Sequence, residues 1–194
     1  MAYFAEVVQD LPLAYWRLGD TAGAQAADSS PNGRHGTWSG SPVLGSPGAL
    51  DGDSDPSALF DGVDDRIALP ALPSLAATLT LEFWCRPLSG GDATQCLIGE
   101  ADGSPSVLFK PATGKLSVFY AGADHFNDTP LSFDTWHHIV VSIAAGAGTI
   151  YSTASPTAPF PASLPALRPT ASATTTPATP TRATWTRSPS TPPP

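Results

Sequence analysis

Apolar and polar residues alternate along several short stretches in the middle of the chain. In 79–85 the residues Leu, Leu, Phe and Cys occupy every second position, and in 116–120 Leu, Val and Tyr do the same. A period of two places successive side chains on opposite faces of a strand. No helical period continues beyond the first dozen residues. The pattern therefore predicts an all-β chain.

Turn-forming residues separate these stretches at hairpin spacing, for example Ser89-Gly90-Gly91-Asp92. Several stretches are apolar on nearly both faces, which favours an antiparallel two-sheet β-sandwich with Trp84 and Trp136 as large, buried side chains. The predicted strands are 14–18, 58–60, 65–69, 77–87, 95–100, 106–110, 115–121 and 136–143.

Charge and composition divide the chain near residue 151. The 17 acidic and 9 basic residues give a formal net charge of −8, which argues against nucleic acid as a partner. No acidic residue follows Asp134, and 36 of the 43 residues in 152–194 are Pro, Ala, Ser or Thr. Such a segment buries too little apolar area to fold. We predict one domain over 1–151 and a disordered tail over 152–194.

The N-terminal residues contain neither a basic region followed by an apolar stretch nor a long apolar run. The sequence therefore predicts no signal peptide and no membrane insertion. Cys85 and Cys96 lack the paired spacing of a zinc site. We expect them to lie on neighbouring strands and to remain reduced.

Five short motifs follow one another in order: 15–20 (YWRLGD), 28–37 (Asp-Ser-Ser-Pro-Asn-Gly-Arg-His-Gly-Thr), 60–65 (FDGVDD), 79–84 (LTLEFW) and 136–141 (WHHIVV). Together they resemble landmarks of the laminin-G-like (LamG) jelly rolls of the concanavalin A-like lectin and glucanase superfamily. The resemblance implies a jelly-roll sandwich that is truncated, because the last landmarks are missing after Tyr151. An opening of this kind directly after the initiator Met is similar to that of bacteriophage minor tail proteins. It implies a virion location, with an extracellular one as the alternative.

The missing landmarks are permitted by another reading frame of the tail. When the codons of 152–158 are read one base earlier, they permit the sequence valine-aspartate-glycine-valine-alanine-aspartate-glycine. The stretch 183–191 permits an aspartate-glutamate strand, in which the single codon of Trp185 forces an aspartate over Thr186. We interpret the tail as an out-of-frame reading after a frameshift. The alternative is a genuine Pro/Thr linker in polyproline-II-like form.

One predicted loop combines aromatic, amide and carboxylate side chains: Tyr120, His125, Phe126, Asn127 and Asp128. Exposed aromatic faces can stack on the C–H surfaces of sugars, while acids and amides accept hydrogen bonds from hydroxyls. We predict carbohydrate binding there. The alternative is an ordinary loop with one buried Phe.

The resemblance also implies a structural Ca²⁺ near Asp28 and Asn32, because carboxylate and carbonyl oxygens are the ligands of this cation. A glycoside hydrolase needs a pair of carboxylates, whereas Glu82 and Glu100 are isolated in the sequence. We therefore predict a non-catalytic recognition or attachment module of a phage tail, with carbohydrate, virion proteins or cell-surface proteins as partners. The alternatives are a structural virion subunit without ligand and a glucanase-type hydrolase.

Overall fold

The computed structural model describes residues 2–72, 78–91, 93–99, 105–120, 122–144, 147–154 and 181–186. Its elements are α1 Ala2–Gln9, β1 Ala14–Trp16, β2 Gln25–Ala26, β3 Gly36–Ser39, β4 Val43–Ser46, β5 Ser57–Leu59, β6 Arg66–Ala68, β7 Thr78–Cys85, β8 Gln95–Gly99, β9 Ser106–Lys110, β10 Lys115–Tyr120, β11 Ala123–Phe126, β12 His137–Ala144, β13 Ala147–Ala154 and β14 Thr181–Thr186. The predicted all-β class is confirmed.

The first layer is a five-stranded antiparallel sheet in the order β1-β14-β7-β12-β13. Its register places four residues in one row across the sheet: Thr181 lies opposite Cys85, Cys85 opposite His137, and His137 opposite Ala154. The last residue of β13 and the first residue of β14 therefore lie at the same end of the sheet, three strand spacings apart.

The second layer contains a four-stranded sheet, β11-β10-β9-β8, with the smaller groups β2-β3-β6 and β4-β5. Alternate residues of β7 and β12 face alternate residues of β9 and β10, as the period-two pattern predicts. The main core contains Leu81, Phe83, Val107, Phe109, Leu116, Val118, Ile139 and Val141. An antiparallel β-sandwich is thus confirmed.

A second buried cluster lies beneath helix α1, on the outer face of the five-stranded sheet. Trp84 and Trp136 are buried as predicted, but they pack here with Tyr3 and Val7 rather than between the two layers. Trp84 belongs here because it alternates with Phe83, which faces the main core. Within the described residues, no helix is long and apolar enough to span a bilayer.

The structure describes two parts of the predicted tail 152–194. Residues 152–154 continue β13, and Thr181–Thr186 form β14, which makes three residue pairs with β1 and six with β7. β14 therefore lies between β1 and β7 in the five-stranded sheet. Backbone groups of β1 and β7 find hydrogen-bond partners in β14, and the β-branched Thr residues of β14 favour a strand. Residues 155–180 and 187–194 lie outside the described residues.

Cys85 and Cys96 are thiols rather than a disulfide, but they do not lie on neighbouring strands as their sequence spacing predicted. Cys85 ends β7 in the five-stranded sheet, whereas Cys96 lies opposite Leu108 in the four-stranded sheet. The residues between them cross from one layer to the other, which a hairpin interpretation did not anticipate. Burial raises the pKa of the Cys85 thiol to about 12.

Candidate functional site

The β10–β11 hairpin carries the aromatic and polar residues that the sequence placed in a loop. Ala123–Phe126 form a strand instead, with Tyr120 opposite Ala123 and Ser117 opposite Phe126. Directly paired residues project to the same face of a sheet, and successive residues project to opposite faces. The predicted residues are therefore divided between two faces.

The outer face of the hairpin carries Phe126, Asp124 and Ser117, together with Lys110 of β9. Phe126 is 49% exposed, and the Lys110 ammonium lies 5.1 Å from its ring centroid. Lys110 Nζ also donates to Asp124 Oδ2 over 2.8 Å, and Ser117 Oγ donates to Asp124 Oδ1. The hydrogen bonds from Lys110 and then Ser117 lower the pKa of Asp124, so this carboxylate is charged at neutral pH.

The other predicted residues have different surroundings. Tyr120 packs against the main core, and His125 shares the core-facing side of the hairpin with Val118 but is exposed at the sheet edge. Asn127 is buried, and its Oδ1 accepts a 2.9 Å hydrogen bond from the Leu116 backbone. Its Nδ2 donates to a backbone carbonyl two residues later. Asn127 therefore closes the turn, whereas Asp128 is exposed.

The structure thus brings Phe126 together with two partners that sequence reasoning missed, Lys110 and Asp124. The alternation in 123–126 could have indicated that Asp124 and Phe126 share a face. Lys110 could not be found in that way, because its position depends on the register of the neighbouring strand.

Asp28 and Asn32, predicted to bind calcium, lie in a turn of polar contacts. The Asp28 carboxylate accepts hydrogen bonds of 2.7–2.8 Å from the backbones of Tyr15, Ser30 and Arg34 and from the Ser30 hydroxyl. Four donors fill the four lone-pair positions that a carboxylate offers. A calcium ion bound by Asp28 would have to displace them.

Asn32 directs its amide nitrogen to the backbone carbonyls of Pro12 and Leu13, at 3.2 and 3.0 Å. It therefore anchors the chain segment that precedes β1. Together with Asp28, it joins this turn to the start of the five-stranded sheet.

A cluster of three carboxylates lies instead in the acidic loop 61–65. Ligand atoms of Asp61, Asp64 and Asp65 lie within 4.8 Å of one another, and the first two side chains are exposed. Asp65 is buried and accepts hydrogen bonds from the backbones of Asp61 and Ser41. The backbone N–H of Val63 lowers the pKa of Asp61. Carboxylate oxygens of this kind are the ligands that Ca²⁺ prefers.

A cleft of about 420 Å³ adjoins the acidic loop. Its walls also include Gly40, Ser41, Val43, Leu59, Phe60 and Leu88. In the sequence, 60–65 was identified only as a family landmark, although the three aspartates within five residues were a visible signal.

Glu82, the residue on which a hydrolase interpretation depends, is held beneath α1. Its Oε1 accepts a 2.9 Å hydrogen bond from Tyr3 and lies 2.9 Å from His138 Nε2. Burial raises the pKa of Glu82, and the contacts with His138 and Tyr3 lower it further than burial raises it, so the pKa lies below its ordinary value. The His138 ring stacks on Trp84 at 4.9 Å. Glu100 lies outside the described residues.

Comparison with known proteins gives a family match and several similar folds. A laminin-G family model, described as the concanavalin A-like lectin/glucanases superfamily, matches residues 61–188. No curated protein sequence matches the chain.

Two of the similar solved structures are of a sialidase from Trypanosoma rangeli. A mutant of Trypanosoma rangeli sialidase displaying trans-sialidase activity has a TM-score of 0.57 at 13% identity, covering 93% of this chain and 31% of the sialidase. The same sialidase in complex with sialic acid scores 0.53 at 13% identity, with 92% and 28% covered.

Domain 4 of a GH43 extracellular arabinanase from Geobacillus stearothermophilus, in complex with arabinotriose, scores 0.52 at 18% identity. That alignment covers 91% of this chain and 84% of the domain. At these identities the likeness concerns the fold alone, and the chain spans less than a third of the sialidase chains.

Proposed function

Because the chain belongs to the concanavalin A-like lectin/glucanase superfamily through its laminin-G-like domain, we propose that it is a non-catalytic module that binds carbohydrate. The binding surface is the outer face of the β10–β11 hairpin. The observation that carries the proposal is the half-exposed ring of Phe126 beside Asp124 and Lys110.

This surface offers the three kinds of contact that a sugar needs. The Phe126 ring provides a flat apolar face for the C–H surface of a pyranose. Each Asp124 oxygen has one protein donor and therefore retains a lone pair for a hydroxyl group. Lys110 uses one N–H for Asp124 and has two further donors. Two of the similar folds were solved with sialic acid and arabinotriose, which supports a carbohydrate ligand.

Loss of the aromatic ring tests the proposal. Phe126→Ala should weaken binding to a glycan selected on an array by at least tenfold, about 1.4 kcal/mol. Tyr151→Ala is the matched control, because Tyr151 is a 45% exposed aromatic residue on the other sheet. If no glycan binds the intact chain, or if both variants lose binding equally, the proposed site is wrong.

A hydrolase of glucanase type is the second candidate, since the superfamily includes glucanases. Such an enzyme needs a second carboxylate about 5–9.5 Å from the first. The contacts of Glu82 with Tyr3 and His138 favour a structural role for this carboxylate instead. Polysaccharide turnover that Glu82→Gln abolishes in a folded protein would establish the hydrolase.

We place the module in the tail of a bacteriophage particle, where carbohydrate binding would serve attachment to a host surface. The support is the motif 15–20 (YWRLGD) and its similarity to minor tail proteins. A structural subunit without a ligand is the rival. Mass spectrometry of purified virions tests the location, and intact particles together with an empty glycan array would favour the structural subunit.

A further inference from the structure

The two lysines of the chain, Lys110 and Lys115, lie side by side on the outer face of the hairpin. No other lysine occurs among the 194 residues, and the formal net charge is −8. Lys110 ends β9 and Lys115 begins β10, and the register places them directly opposite each other. Directly opposite residues of antiparallel strands project to one face, with Cβ atoms about 5 Å apart.

This face is the one that carries the exposed aromatic ring. Lys115 and Ser117 are two residues apart on β10 and share a face, and Ser117 lies opposite Phe126. Lys110 contacts the Phe126 ring directly. The two ammonium groups and the ring therefore form one surface.

Two like charges directly opposite each other on a sheet destabilise it. Asp124 compensates Lys110 through its 2.8 Å ion pair. For the Lys115 ammonium, the part of the chain that the structure describes provides no carboxylate partner. An anion that binds between the two lysines would remove the repulsion.

We infer that the ligand is an acidic glycan. Its carboxylate or sulfate group binds between Lys115 and Lys110 while a sugar ring stacks on Phe126. The inference rests on the proposed function and specifies its ligand. The net negative charge of the protein does not prevent this contact, because charges farther than about 8 Å are largely screened at physiological ionic strength.

The experiment uses the full chain and an array of paired glycans. Each uronate oligomer is paired with its carboxyl-reduced form, and each sulfated oligomer with its desulfated form. We expect at least tenfold tighter binding to the acidic member of a pair, and the preferred pair identifies the anion. Lys115→Gln should reduce the ratio within that pair towards one while binding to the neutral member persists.

Arg66→Gln is the matched control, because Arg66 is an exposed base on another sheet, and it should leave the ratio unchanged. Circular dichroism confirms that the variants are folded. Equal binding to both members, or a ratio that Lys115→Gln does not change, would overturn the inference and leave carbohydrate binding intact. If neither member of any pair binds, both the inference and the proposed function fail.

Discussion

Replacing Asp28 by alanine should destabilise the domain severely, because this side chain is only 7% exposed and receives four hydrogen bonds. A buried donor that loses its partner costs about 1–3 kcal/mol. Three of the four bonds are buried, those from the Tyr15 backbone and from the backbone and hydroxyl of Ser30. We therefore expect a loss of about 4 kcal/mol in the free energy of unfolding, or a Tm lower by about 8–16 °C.

Urea unfolding followed by tryptophan fluorescence measures the loss, with Asp51→Ala as the control at an exposed aspartate. The denaturant midpoint should fall for Asp28→Ala at an unchanged slope, and the control should remain within about 0.5 kcal/mol of the native chain. Equal midpoints for the two variants would refute the assigned role of Asp28. A calcium-dependent rise in the native midpoint that Asp28→Ala abolishes would show that this carboxylate binds a cation.

The other predictions concern the C-terminal strand and its reading frame, the buried Glu82 carboxylate and the thiols. Ending the chain at Ala154 removes β14 and should lower the Tm and expose β1 and β7 to aggregation; an unchanged melting curve would contradict the placement of β14. Restoring one base after codon 151 should raise the Tm if the tail is out of frame, and an uninterrupted native gene would exclude the frameshift. The folded pKa of Glu82 lies below the ordinary value of 4.5, so its stabilising effect is complete above pH 4.5 and disappears as the pH falls through the folded pKa. The stability difference between the native chain and Glu82→Gln should therefore shrink in acid, whereas Glu6→Gln, at an exposed position, should show no such trend. Cys96 should react with a thiol reagent in the native protein, and Cys85 only after unfolding, because burial raises its pKa to about 12.

The long central strands were predictable because apolar residues recur at alternate positions in their sequences. β7 and β12 lie within one or two residues of the predicted 77–87 and 136–143. Strands β2 to β4 were missed because β2 has only two residues, and β3 and β4 each contain a glycine, a residue that is depleted in strands. Strand β11 was assigned to a loop because all four of its residues are exposed.

The candidate site was predictable only in part, for a different reason. Phe126 was identified as an aromatic residue among polar neighbours, which is a local property. Its contact with Lys110 and the pairing of Lys110 with Lys115 depend on the register of three strands, and single-sequence patterns do not determine register. Asn127 has a side-chain amide that could bind a ligand, but this amide forms hydrogen bonds with backbone groups of the turn instead.

One row across the five-stranded sheet contains Thr181, Cys85, His137 and Ala154, and its two outer residues border the connection 155–180. The two ends of the connection 155–180 are about 14 Å apart across three strand spacings. Four or five extended residues span that distance, yet the chain uses 26. By loop-closure entropy alone, doubling the length of a connection costs only about 0.6 kcal/mol. This position can therefore gain or lose sequence at little thermodynamic cost, which makes it a natural point for grafting a foreign peptide or a guest domain onto the sandwich.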